Sequence, residues 1–206
     1  QLGATASAFE IPSCRFQVNL VGELNVRNAL AVVGAAKHCG ISNKQIQLAF
    51  DTFKSVKRRM EVRGVAGGVT VVDDFGHHPT AIRETLKALR IKYPTQKLWA
   101  VFEPRTQSTR RNVFQNDFPT AFGEADEVII AEVAFANVLA AEERLDTGKL
   151  EADLRAKGKR ARFLPDVDTI VRHLGELAQG GDVICVFTNG GFGNIHAKLL
   201  ERLARR

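Results

Sequence analysis

The chain has 206 residues, 45% hydrophobic and 25% charged, enough for one large domain or a domain with a smaller attachment, and disorder is excluded as its main state. Thirteen Phe against one Trp, one Tyr and one Met describe a core of aliphatic and Phe side chains rather than a base-stacking surface. Lys and Arg outnumber Asp and Glu by 29 to 23, and the net +6 attracts phosphates, nucleotides and carboxylates but is too mild to mark a nucleic-acid binder.

Residues 1–21 alternate loosely around Pro12 and predict a β-hairpin. A helix is expected over Val26 to His38, stopping at Cys39 and Gly40, and a second over Asn43 to Phe53 with Ser42 as its N-cap. After Lys57, Arg58 and Arg59 the pattern changes to alternating strands and helices. Strands are expected at Met60 to Val65 and Val69 to Val72, a helix at Pro79 to Lys92, and a strand at Leu98 to Phe102. A helix near Asn112 to Phe122 and a strand at Glu127 to Ala131 follow, while residues 133–150 carry no decisive period. A helix at Lys149 to Lys157, a strand at Arg162 to Leu164, a helix at Val167 to Ala178, a strand at Val183 to Phe187 and a helix from about Gly193 complete the run. Near-continuous apolar strands such as Val183 to Phe187 argue for an α/β fold with a mostly parallel sheet covered by helices on both faces.

Cys14, Cys39 and Cys185 are unclustered, which supports neither a disulfide framework nor a CxxC metal site, and a reducing, cytoplasmic compartment is the expectation. No apolar run approaches the ~20 residues of a membrane span, so no membrane insertion is expected. The opening residues lack the basic start and apolar core of a leader and read as the beginning of a fragment. There is no internal repeat and no G-x-x-x-x-G-K-[ST] phosphate loop, so ATP chemistry would need residues beyond these 206.

In open sheets, ligands bind beyond the carboxyl ends of the strands. The strand ending at Val72 leads into Asp73-Asp74-Phe75-Gly76-His77-His78-Pro79. Its acids could accept ribose hydroxyls or hold Mg²⁺ through water, and a His could hold a carboxylate or move a proton; a helix cap with one core-facing His explains the same residues. A transition-metal site from His77 and His78 is disfavoured, because adjacent side chains point apart and no third ligand is evident. The strand ending at Phe102 leads into a loop with Arg105, Arg110 and Arg111, whose guanidiniums suit carboxylates or phosphates unless the loop is simply solvated. The last strand leads into Asn189-Gly190-Gly191-Phe192-Gly193-Asn194, similar to a nucleotide glycine loop but without its spacing. Asn25 and Asn28 suit either helix capping or ligand contact, and Lys57 to Arg59 either solvent or phosphate.

The string Gly22-Glu-Leu-Asn25-Val-Arg-Asn28-Ala-Leu-Ala, then Lys57-Arg58-Arg59-Met-Glu-Val-Arg, then Val-Asp73-Asp74-Phe-Gly-His77-His78-Pro-Thr-Ala-Ile resembles, in this order and over essentially the whole chain, the Mur ligases of peptidoglycan synthesis. The resemblance implies that residues 1–59 form the end of a central ATPase domain and residues 60–206 a Rossmann-like C-terminal domain. It implies ATP and Mg²⁺ as cofactors, with the main metal ligands outside this chain and no metal site within it. The DDFGHHP run is similar to branches that act directly on UDP-N-acetylmuramate. The Glu103-Pro104-Arg105 loop and the NGGFGN turn look most like the branch that attaches the recycled murein tripeptide L-alanyl-γ-D-glutamyl-meso-diaminopimelate, and the L-alanine-adding branch is the nearest rival. A non-catalytic nucleotide- or anion-binding module is the alternative of another class. By position in the family's motifs, Asn25, Asn28, Arg59 and Asp74 are expected at ATP, and His77, Arg105, Arg110, Arg111, Gly190 and Asn194 at the incoming acceptor. No catalytic residue is assigned to the fragment, which by itself is expected to be inactive, and its oligomeric state is left open.

Overall fold

A computed structural model describes all 206 residues, which divide into two compact units: residues 1–57 with 87–94, and residues 58–86 with 95–206. In the first, strands β1 (Ser7–Ile11) and β2 (Cys14–Val18) form the expected antiparallel hairpin, with Ser7 opposite Val18. Helix α1 (Glu23–His38) and helix α2 (Asn43–Thr52) follow. Ser42 caps α2 as read from the sequence, its hydroxyl accepting the Gln45 N–H while the Gln45 side chain accepts the Ser42 N–H. Phe16, Val18, Ala29, Val33, Ile46 and Phe50 make a small separate core.

The second unit is built on a six-stranded sheet ordered β3-β4-β8-β5-β6-β7. Its strands are β3 (Glu61–Ala66), β4 (Val69–Asp74), β5 (Leu98–Phe102), β6 (Glu127–Ile130), β7 (Arg160–Phe163) and β8 (Val183–Phe187). β3 and β4 are antiparallel, joined by Gly67 and Gly68, both with positive φ, as a two-residue hairpin turn requires. All other pairings are parallel. One face carries Val69, Val71, Trp99, Val101, Ile129, Ile184 and Val186 in a single core with α6 (Val167–Leu177) and α7 (Ile195–Ala204). On the other, Phe102 packs against Phe118 and Phe122, with ring centroids 4.8 and 5.8 Å away. Helices α3 (Pro79–Lys92), α4 (Phe118–Ala121) and α5 (Thr147–Ala156) complete the chain, and no helix is long and apolar enough to cross a membrane.

The helix expected over Asn112 to Phe122 is instead a 3-10 turn, Asn112–Phe114, followed by the one-turn α4. Pro119 removes a helical N–H and its ring would collide with the carbonyl four residues back. Gln115 is also engaged elsewhere, exchanging two hydrogen bonds with the Asp146 backbone. The undecided stretch holds two 3-10 turns, Ala136–Val138 and Ala141–Glu143, and α5 starts at Thr147 rather than Lys149 because Asp146 caps it. β4 runs two residues past the expected end, since Asp73 and Asp74 still pair with Val186 and Phe187. α1 starts earlier than expected, β7 starts two residues earlier and ends one earlier, and left-handed Gly193 and Asn194 delay α7 to Ile195.

Candidate functional site at the carboxyl edge of the sheet

Because Asp73 and Asp74 are the last two residues of β4, their side chains point to opposite faces. Asp73 accepts from Nε of Arg58 at 3.1 Å, and Nη2 of Arg58 also donates to the Thr188 carbonyl at 2.7 Å and the Gly190 carbonyl at 3.1 Å. Asp74 accepts the Met60 N–H at 2.9 Å and the Gly76 N–H at 2.7 Å. Burial raises the pKa of Asp74, opposed by those two N–H groups, the Arg59 charge and the Thr85 side chain. Arg58 and Met60 both have left-handed backbones, with φ of 58° and 48°, uncommon for residues with side chains. Between them Arg59 stands exposed, its guanidinium 6.0 Å from the centre of the Phe75 ring.

The next loop along the rim follows β5. Glu103 is buried, accepts a short hydrogen bond from the Thr188 hydroxyl, and lies 3.4 Å from Nη1 of Arg105. Arg110 is 7% exposed; its Nη2 donates to the Gln107 side chain at 2.9 Å, and its buried Nε has no partner. The guanidinium carbons of Arg105 and Arg110 lie 5.0 and 5.8 Å from the centre of the Phe135 ring. Arg111 instead pairs with Glu143 at 2.6 Å.

β8 lies between β4 and β5, so its Gly-rich turn falls between the two loops just described. A Cβ on Gly190 would sit 2.3 Å from Nε of Arg105, so only glycine lets the guanidinium rest on this backbone. Gly190→Ala is expected to displace the flexible Arg105 tip and leave the melting temperature within about 2 °C of wild type, read by thermal denaturation. Asn194 is exposed and left-handed at the start of α7, and makes no side-chain cap. The side-chain oxygen of Asn189 is buried without a partner.

His77 is half-buried, with Nδ1 3.1 Å from the Phe75 carbonyl, whereas Nδ1 of the exposed His78 accepts the Thr80 N–H at 3.2 Å and its ring packs on Phe114. His78 is therefore a cap for α3. No three His, Cys, Asp or Glu side chains converge to hold a metal ion. Asn25 and Asn28 lie in the first unit: Nδ2 of Asn25 donates to the Val21 carbonyl at 2.8 Å, holding the first turn of α1, and Asn28 is exposed.

Burial lowers the pKa of His196, whose Nε2 is 3.5 Å from Asp73, with the Asp73 charge opposing the shift; burial likewise lowers that of His173. Both then bind protons less readily in the folded state, so their contribution is present above the ordinary value of 6.5 and is lost as pH falls below it. The urea midpoint is expected to drop between about pH 7 and pH 5, and less steeply in His173→Gln, when the two are compared by circular dichroism. Asp74 acts in the opposite sense, its raised pKa costing stability as pH rises above 3.8, and the comparison of variant with wild type cancels it.

The sequence does not single out Arg58, Phe135 or Thr188 among their neighbours. Arg58 and Arg59 are indistinguishable in a run of three cations, and Phe135 falls in the stretch without a period. The apolar run of β8 ending in Thr188 was visible, but not the neighbours of that strand.

Residues 58–190 match the sequence profile of the Mur ligase, glutamate ligase domain. The chain belongs to the Mur ligase family. Over 189 residues it is 41% identical to the UDP-N-acetylmuramate-L-alanyl-gamma-D-glutamyl-meso-2,6-diaminoheptandioate ligase of Escherichia coli (strain K12), which covers 91% of this chain and 39% of that protein. It is 36% identical over 191 residues to the UDP-N-acetylmuramate-L-alanine ligase of Caldanaerobacter subterraneus subsp. tengcongensis, covering 90% of this chain and 40% of that protein. A crystal structure of a murein peptide ligase from Psychrobacter arcticus 273-4 superposes with a TM-score of 0.72 at 30% identity, over 100% of this chain and 43% of that one. The chain thus spans about two fifths of the length of the curated Mur ligases it matches. Both the family and the α/β fold agree with the reading of the motifs.

Proposed function

We propose that this chain is the acceptor-holding part of an ATP-dependent Mur ligase that joins L-alanyl-γ-D-glutamyl-meso-diaminopimelate to UDP-N-acetylmuramate. The observation that carries the reading is the pair Arg105 and Arg110 at the carboxyl edge of β5, the second buried with an unpartnered Nε. A buried guanidinium with spare donors is costly unless an anion meets it, and a peptide bearing several carboxylates supplies one. The name of the Escherichia coli relative specifies this acceptor. L-alanine is the second reading, favoured by the name of the Caldanaerobacter relative.

In the reaction of this family, the muramyl carboxylate attacks the γ-phosphate of ATP, releasing ADP and leaving an acyl phosphate. The acceptor amine then attacks the acyl carbon, and phosphate departs. Arg105 and Arg110 would hold carboxylates of the acceptor so that its amine faces the acyl carbon. His77, Arg111, Gly190 and Asn194 are assigned to the acceptor from their position in the family's motifs, with Gly190 giving Arg105 its seat. Arg59, presented by the strained turn, would meet phosphate oxygens, and Asp74 would serve the nucleotide by fixing that turn through Met60. Asn25 and Asn28 are assigned to the nucleotide from their position in the family's motif, within residues 1–59 read as the end of the central ATP-binding domain. The family resemblance puts the main Mg²⁺ ligands outside this chain.

The test uses the full-length protein with ATP, UDP-N-acetylmuramate and tripeptide, analysed by mass spectrometry. ADP and UDP-N-acetylmuramoyl-tripeptide are expected together. ATP binding with no ADP released under any combination would favour the non-catalytic module.

A further inference from the structure

Phe135 is unusual in two respects. It is 56% exposed, and its φ of 56° is a left-handed conformation that a bulky residue rarely adopts. Neither feature serves the core. The chain nevertheless fixes it: the Ala134 N–H donates to the Pro104 carbonyl at 2.9 Å, seating Phe135 next to the residue before Arg105, and the Val138 N–H closes a turn onto the Phe135 carbonyl at 3.1 Å. Two guanidiniums then share the ring, at 5.0 and 5.8 Å from its centre.

Two like charges on one ring do not attract each other, and an unconstrained Arg105 would turn to water or wholly to Glu103, 3.4 Å from its Nη1. The negative face of an aromatic ring attracts both cations at once and leaves their N–H edges free for hydrogen bonds. We infer that Phe135 is a positioning residue for the amine acceptor: its ring holds Arg105 and Arg110 as a paired receptor for acceptor carboxylates. The inference rests on the acceptor reading above. It adds that the receptor is organised by an aromatic ring, whose electrostatics and not its bulk are what matter.

The experiment compares wild type, Phe135→Ala, Phe135→Leu and Phe135→Tyr in the full-length protein, measuring kcat, the KM for tripeptide and for L-alanine, the KM for ATP, and the melting temperature. Phe135→Ala and Phe135→Leu should each raise the KM of whichever acceptor the wild type uses by about tenfold, with kcat, the ATP KM and the melting temperature little changed. Phe135→Tyr, which keeps the ring, should restore the KM. A Phe135→Leu protein with the wild-type acceptor KM overturns the inference, as does an equal fall in kcat and melting temperature in all three variants. A wild type that uses L-alanine and not tripeptide overturns the tripeptide reading instead, and the L-alanine KM of the variants still decides the role of Phe135. A wild type that joins neither acceptor overturns both.

Discussion

Replacing Arg58 by alanine is expected to destabilise the second unit by about 2–4 kcal/mol, the largest effect of any single rim substitution. The Asp73 side chain is 4% exposed and that of Arg58 28%, so removing the cation strands a carboxylate that water barely reaches. The Thr188 and Gly190 carbonyls lose their donor in the same step. Arg63, 4.0 Å from Asp73, offsets a fraction of the loss, and for that reason the estimate lies below the full cost of breaking a buried pair. Arg58→Lys keeps the charge but cannot reach carboxylate and carbonyls together with one ammonium, and should fall between the two. Combining Arg58→Ala with Asp73→Asn should recover part of the stability, because no buried charge is then left alone. Urea denaturation of the four proteins reads these differences, and a loss below about 0.5 kcal/mol for Arg58→Ala would mean that the pair is merely a surface contact.

Arg105→Ala in the full-length protein is expected to raise the acceptor KM by roughly 10- to 100-fold, the value of one charge-assisted hydrogen bond, while the ATP KM stays within about twofold. The guanidinium rests on Gly190, faces Phe135 and touches Glu103, so its removal leaves every backbone element of the rim in place. Arg59→Ala should give the reverse pattern. Its side chain is exposed beside Phe75, and if it meets phosphate as proposed, the ATP KM is where its loss should be felt. A matched rise of both constants in both variants would show that the two arms of the rim are not separate.

The central strands β5 and β8 are legible because burial on both faces writes a short apolar run bounded by turn residues, as in Val183 to Phe187. Strand order is not. That β8 inserts between β4 and β5 follows from the packing of the whole sheet, and it is this insertion that brings Gly190 to Arg105 and Thr188 to Glu103. The sequence shows the acids after Val72 as a pair but not as part of the strand. Once β4 is seen to run to Asp74, the two-residue period of a strand sends Asp73 toward Arg58 and His196, and Asp74 toward Met60 and Gly76. Pro119 is a local signal against one continuous helix through residues 112–122, and it is tolerated only because it falls in the first turn of α4. Phe135 left no trace, since an exposed aromatic in a stretch without period looks like any loop residue.

The most direct test of the account is a side-by-side acceptor assay on the full-length protein, with L-alanyl-γ-D-glutamyl-meso-diaminopimelate and L-alanine each supplied with ATP and UDP-N-acetylmuramate. A kcat/KM for the tripeptide at least about tenfold above that for L-alanine is expected, since in the proposed site the additional carboxylates would meet both Arg105 and Arg110. Ligation of L-alanine with none of the tripeptide would contradict it.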